Sequence, residues 1–206
     1  MAKRNKVHEE STPILTDIIN STASWPSLTV WRKSPLLCCT GFQAINSDGN
    51  LVFRVDNYSG HPHHLLLMDG SGNPLITLCR PKGLRGLIER WRMYEGELVG
   101  DRWGRKPIWC VRKHLKMLNP YCGDALAYIY MDKKKRCAYK IEGSYTHRCC
   151  RVLDHESGTL VAEIKIKESF PLGVSFGFEV FRLIVRPGFD HGFAMAIVVL
   201  LDQMFA

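Results

Sequence analysis

The C-terminal segment, residues 188–206, constrains the fold more than any other stretch of the chain. No side chain from 192 to 201 is polar, so a helix here has no face that favours water and must be buried in protein or lipid. A membrane span needs ~17 or more apolar residues, and this run is shorter. Asp190 is a suitable N-cap, and the alanines in the run favour a helix. The β-branched residues 197–199 leave a buried strand open.

The length of such a helix indicates what surrounds it. As a helix, residues 190–205 would be ~24 Å long at ~1.5 Å per residue. A β-strand of six or seven residues has about the same length at ~3.3 Å per residue. We therefore expect a β-structure as tall as the helix to enclose it.

The rest of the chain has the patterning of such a β-structure. With 206 residues, 46% hydrophobic and 10% aromatic, it suits a single globular domain, here predicted over residues 26–206. Residues 1–25 are polar without a clean period and predict a flexible tail. Short apolar runs at ~8–12-residue spacing indicate a sandwich or barrel. We predict twelve strands, over residues 28–32, 41–46, 51–56, 64–68, 74–80, 90–95, 107–113, 125–131, 137–142, 148–153, 159–167 and 176–186.

Three of the connections share an acidic residue followed by glycine. We expect Asp48, Asp69 and Asp154 to cap these turns with their side chains, and the glycines to supply positive φ. The loops lack the series of acidic ligands that a calcium-binding EF-hand requires.

The eight cysteines bear on the cellular compartment. We expect no secretory signal, and the sequence has no CxxC motif, so we also expect eight free thiols in a reducing compartment and no zinc knuckle. The adjacent Cys149 and Cys150 should point to opposite faces of a strand. Acylation of Cys38 or Cys39 is a lesser alternative. The expected location is cytoplasmic, with peripheral membrane attachment and nuclear entry left open.

The sequence gives little support for catalysis. It has no phosphate-binding loop, nucleophile elbow or paired-carboxylate signature. The histidines at 61, 63 and 64 could share a metal, but no nearby acid or cysteine completes a ligand set. We therefore expect no enzyme activity, no metal and no cofactor.

A family resemblance rests on several motifs that occur in a fixed order. They are Gly41-Phe42, Arg54-Val55-Asp56-Asn57-Tyr58, residues 66–75, Arg90-Trp91 with Tyr94-Glu95-Gly96, Gly143-Ser144-Tyr145 with Cys149 or Cys150, and the closing run 190–202. In this order they resemble the plant LURP-one-related family over about residues 28–206. The family is similar in fold to the tubby C-terminal domain and the phospholipid scramblases. The resemblance implies a closed twelve-stranded antiparallel barrel around a hydrophobic C-terminal helix.

A barrel filled by a helix places function on its outside. A ligand cavity would need the space taken by the helix side chains, expected to be Phe193, Met195, Ile197, Val198 and Leu201. Function is therefore expected in the loops and charged faces of the barrel.

The charge balance favours an anionic partner. Lys and Arg exceed Asp and Glu by eight, and the basic residues concentrate in 80–92, 102–116 and 132–136. The hairpin tip Lys133, Lys134, Lys135 and Arg136 is the candidate contact with anionic lipid, worth ~4 kcal/mol at ~1 kcal/mol per residue. The resemblance to tubby implies phosphoinositide binding, and the family implies a membrane-tethered regulator in plant pathogen defence.

Two other kinds of partner remain open at the sequence level. One is a protein-interaction scaffold without lipid binding. The other is a nucleic-acid-binding barrel that stacks bases on Trp31, Trp103 or Trp109, although these residues suit a core equally well.

Overall fold

The computed structural model describes residues 25–33, 41–56, 64–81, 89–98, 105–114, 125–131, 136–167 and 177–206. The predicted tail therefore lies outside the described residues, apart from residue 25. The described residues form twelve strands and one helix. These are β1 (Ser27–Lys33), β2 (Gly41–Ile45), β3 (Leu51–Asp56), β4 (His64–Asp69), β5 (Pro74–Cys79), β6 (Arg90–Glu95), β7 (Trp109–Lys113), β8 (Ala125–Met131), β9 (Arg136–Ser144), β10 (Cys149–Asp154), β11 (Leu160–Ile166), β12 (Val180–Val185) and α1 (His191–Phe205).

The strands form one closed antiparallel barrel. Each strand pairs with its neighbours in sequence, and β1 also pairs with β12, with Val30 opposite Phe181. Closure leaves no strand edge among these twelve to pair with another chain. The predicted barrel and all twelve predicted strand regions are confirmed.

The helix α1 lies within the barrel, as predicted. Its N-cap is Asp190, whose side chain accepts a hydrogen bond from the backbone N–H of Phe193. The five predicted core side chains, Phe193, Met195, Ile197, Val198 and Leu201, are all buried. The alternative of a buried strand at 197–199 is wrong, because the barrel is already closed by β1 and β12 and only a helix satisfies its own backbone inside it.

Alternation along the strands supplies the barrel's inner surface. In β12, for example, Phe181, Leu183 and Val185 are buried, whereas Arg182 is exposed. Small inward residues such as Ala44, Ala127 and Ala162 take little space beside the helix. The core therefore combines every second strand residue with a helix that is buried around nearly its whole circumference.

Two of the three predicted turn caps are confirmed. Asp69 Oδ1 accepts from the backbone N–H of Asn73 at 2.8 Å, and Asp154 Oδ1 accepts from Ser157 N at 2.9 Å. The prediction for Asp48 is wrong. Asn46, at the first position of that turn, accepts from the backbone N–H groups of Asp48 and Asn50 instead. The amide oxygen of Asn46 lies where a carboxylate oxygen lies in the other two turns.

Candidate functional site

The end of α1 carries a buried ionic cluster that the sequence did not predict. Asp202 is only 7% exposed. Its Oδ1 accepts from Arg32 Nε at 2.8 Å and from the Tyr145 hydroxyl at 3.2 Å. Arg32 also lies 3.4 Å from a carboxylate oxygen of Glu179. The cluster joins the helix to β1, to the turn between β9 and β10, and to the turn before β12.

Arg148 is the second cation of this cluster. It is 5% exposed and adopts a φ of 50°, a conformation uncommon for residues other than glycine. Its guanidinium carbon lies 4.2 Å and 4.4 Å from the ring centroids of Tyr145 and Phe181. Its Nε donates to the backbone carbonyl of Phe178 at 2.8 Å. Cation–π contacts of this kind gain strength when they are shielded from water.

Burial dominates the titration of the cluster. It raises the pKa of Asp202 above its ordinary value, although the neighbouring Arg32 acts in the opposite direction. Burial and the nearby Asp202 carboxylate raise the pKa of Tyr145, so its hydroxyl remains a hydrogen-bond donor. The cluster thus resembles a structural clamp at the helix end. The available sequence signal was an aspartate that directly follows ten apolar residues.

A separate lysine binds the last turn of the helix. Lys113 Nζ donates to the backbone carbonyl of Met204 and lies 4.4 Å from the ring centroid of Phe205. Its other partner is Glu89, at 3.5 Å. A cation beside the terminal carbonyls complements the negative end of the helix dipole.

The outer surface of β6 and β7 carries three exposed arginines, which we name the basic wall: Arg90, Arg92 and Arg112. Arg90 and Arg112 are direct cross-strand partners, and like charges in that position are destabilising. The Arg112 guanidinium lies 4.6 Å from the centroid of the Tyr130 ring on β8. Among the described residues, none of the three arginines forms an ion pair with a carboxylate.

The predicted hairpin site is only partly described. Lys133, Lys134 and Lys135 lie outside the described residues. Arg136 is exposed at the start of β9 and forms a salt bridge with Glu156. It pairs with Met131, which pairs in turn with Trp109 on β7. The chain therefore leaves β8 and returns in β9 beside the strands of the basic wall.

The other candidate side chains of the sequence analysis are dispersed. His64 begins β4, and the histidines at 61 and 63 lie outside the described residues. In the part of the chain that the structure covers, no group of His, Cys, Asp and Glu is arranged to hold a metal ion. The Trp109 ring stacks on Phe193 at 4.9 Å, whereas Trp31 is 50% exposed. Trp103 is outside the described residues.

Five cysteines lie in the described residues, and all five are in the thiol form: Cys79, Cys110, Cys137, Cys149 and Cys150. As predicted, the adjacent pair points to opposite faces, with Cys149 exposed and Cys150 buried. Burial raises the pKa of Cys79 to about 11 and that of Cys150 to about 12. Both therefore remain protonated and unreactive near neutral pH.

We expect alkylation of the native protein at pH 7 to distinguish the adjacent cysteines. Cys149 should react about a hundredfold faster than Cys150, because the Cys150 thiol is protonated at this pH and is buried away from the reagent. Time-resolved mass spectrometry with peptide fragmentation measures the two rates. After denaturation without reductant, all eight thiols should react, and a smaller number would contradict the prediction that the chain has no disulfide.

Comparison with known proteins identifies the family. The LURP-one-related family model matches residues 27–202. The chain belongs to the LURP-one-related family. Two relatives from Arabidopsis thaliana are Protein LURP-one-related 17, 42% identical over 99% of this chain and 97% of that protein, and Protein LURP-one-related 8, 38% identical over 97% of both.

A solved structure supports the fold of this LURP-one-related chain. The X-ray structure of a protein from Arabidopsis thaliana matches it with a TM-score of 0.59 and 23% identity, covering 86% of this chain and 90% of that one. At this identity the likeness concerns the fold alone. Among the residues of this chain that the structure describes, no helix is both long enough and apolar enough to span a membrane.

Proposed function

We propose that this LURP-one-related protein is a non-catalytic barrel that binds anionic membrane lipid through the outer face of β6–β9. The observation that carries the proposal is the juxtaposition of basic segments distant in sequence. Arg90 and Arg92 come from the first segment and Arg112 from the second, and these three share one outer face. The third segment ends at Arg136, which begins β9 two strands from β7 and forms a salt bridge with Glu156. A basic surface of this kind attracts a negatively charged leaflet.

The chemistry of arginine suits phosphorylated headgroups. A guanidinium presents a planar set of donors that can bind phosphate oxygens in pairs. The unfavourable opposition of Arg90 and Arg112 would be relieved by a bound anion between them. The proposal therefore includes phosphoinositides as the preferred lipids.

The proposal predicts a specific binding defect. Replacing Arg90, Arg92 and Arg112 together with Gln should weaken binding to vesicles by about a hundredfold at low salt, at ~1 kcal/mol per residue. Stability should stay equal or rise, since a like-charge pair is removed. Co-sedimentation with phosphatidylcholine vesicles, with and without phosphatidylinositol bisphosphate, measures the binding, and thermal unfolding measures the stability.

A matched variant separates the location of charge from its amount. Arg151, Lys165 and Arg186 lie away from the basic wall, and their replacement with Gln removes the same net charge. This control should bind nearly as well as the parent. Equal losses in both triple variants, or a parent that ignores anionic vesicles, would contradict the proposal.

The predicted hairpin is the second arm of the same experiment. Replacing Lys133, Lys134, Lys135 and Arg136 with Gln should reduce binding by up to ~3 decades without unfolding the protein. Binding of the parent should also weaken as salt rises from ~0.01 M to ~0.15 M, where the Debye length shrinks from ~30 Å to ~8 Å. Unchanged binding in this variant would restrict the contact to the basic wall.

The alternatives have less support from the described surface. Base stacking is not available to Trp109, whose ring packs against Phe193, and Trp31 lies across the barrel from the arginines. A scaffold without lipid binding becomes the leading function if vesicle binding fails. Membrane tethering and a regulatory role in plant defence, as implied by the family resemblance, form part of the proposal.

A further inference from the structure

An exposed aromatic patch lies on the outer surface of β1 and the turn that leads into β12. Trp31 is 50% exposed and Phe178 is 55% exposed. Val180 lies between them, as the cross-strand partner of Trp31. We name these three residues, with the cations Arg182 and Lys167, the Trp31 face.

Two cations lie beside these aromatic side chains. Arg182 pairs with Thr29, two residues before Trp31 on β1, and donates to the Ser27 hydroxyl at 3.1 Å. Lys167 Nζ donates to the Thr29 hydroxyl at 3.3 Å. Arg182 forms no ion pair with a carboxylate in the part of the chain that the structure describes. The face therefore suits an occupant with aliphatic and acidic side chains.

The position of the face limits what can cover it. In the closed order of strands, β1 is six strands from β7 and β12 is six strands from β6. A barrel that meets a membrane through its basic wall thus turns the Trp31 face away from the lipid. The closed sheet offers no edge for an added strand, and the cations disfavour a second copy of the same face.

The N-terminal segment, residues 9–24, has the complementary chemistry. It contains three acidic residues and no Lys or Arg, together with the aliphatic residues Ile14, Leu15, Ile18 and Ile19. It continues directly into β1. The matches to the two relatives named above cover 99% and 97% of the chain, so they extend through most of the residues that precede the family match at 27.

We propose that residues 9–24 dock on the Trp31 face of the same molecule. The aliphatic side chains would pack on Trp31 and Phe178, and the acidic side chains would face Arg182 and Lys167. The reach is sufficient. Residue 25, where the segment joins the described chain, is six residues from Trp31, which is about 20 Å along a strand. The sixteen residues 9–24 can extend up to about 50 Å, so the segment can fold back over this distance.

Photo-crosslinking in the full-length protein tests this docking. With p-benzoylphenylalanine in place of Trp31, we expect crosslinks to peptides within residues 9–24 of the same molecule, identified by mass spectrometry. The same probe in place of Ile108, which is 37% exposed just before β7 and so lies six strands from β1, should not reach them. Mixing isotope-labelled and unlabelled protein separates crosslinks within a molecule from those between molecules.

Charge variants test whether the acidic side chains attract the segment to the Trp31 face, or whether the segment lies near the face only because it is covalently joined to β1. Replacing Glu9, Glu10 and Asp17 with Lys should lower the crosslink yield about tenfold. Replacing Lys3, Arg4 and Lys6 with Gln should leave it unchanged. Crosslinks only to neighbouring strands, crosslinks to a second copy, or a yield insensitive to the acidic residues would each overturn the proposal. The vesicle experiment has no bearing on this outcome, so the two proposals can fail separately.

Discussion

Val198→Asp should unfold the protein. Val198 is fully buried inside the barrel, and an unpaired carboxylate there would cost roughly 5 kcal/mol, comparable with the whole stability of many domains. We expect the variant to aggregate or to lose its cooperative thermal transition, as should a chain that lacks residues 193–206. Circular dichroism during heating measures this loss.

Gln203→Asp is the matched control on the same helix. Gln203 is exposed near the C-terminal end of α1, so its replacement adds the same charge without burying it. This variant should melt close to the parent. A Val198→Asp protein that unfolds cooperatively at the temperature of the control would show that the helix does not form the core.

Asp202→Ala should produce the second-largest loss, about 3 kcal/mol of unfolding free energy. The substitution removes the buried oxygen that accepts from Arg32 Nε and from the Tyr145 hydroxyl. Urea unfolding measures the change. Glu156→Ala removes one partner of an exposed salt bridge with Arg136 and should cost at most about 1 kcal/mol. Similar losses in both variants would contradict the clamp role of Asp202.

The pH dependence of the Asp202 contribution has a defined sign. The folded-state pKa of Asp202 is raised above 3.8 by burial, so the native state retains this proton at pH values where the unfolded chain has lost it. The contribution is therefore complete below 3.8 and decreases as pH rises through the folded pKa. The stability of the parent relative to Asp202→Asn should increase as pH is lowered from neutral to ~4. An opposite trend would mean that Arg32 outweighs burial.

The local sequence determined the elements of this fold. Alternating apolar residues between Asx- and Gly-containing turns indicated twelve strands, because side chains in a strand alternate between its two faces. The run before Asp202 indicated the buried helix, because its length suits a barrel and not a bilayer. The closed order of the strands came from the family resemblance. The sequence did not show that Asn46, and not Asp48, caps its turn. The turn contains several Asn and Asp residues, and the side chain of any of them can accept from the backbone.

Only the tertiary structure decided which distant residues meet. Arg32 and Asp202 lie at opposite ends of the chain, and their contact depends on β1 and the end of α1 sharing one end of the barrel. The opposition of Arg90 and Arg112 depends on the register of β6 and β7, and a shift of one residue would turn these side chains to the other face. Register and closure result from packing the whole core at once, so no local stretch of sequence encodes them.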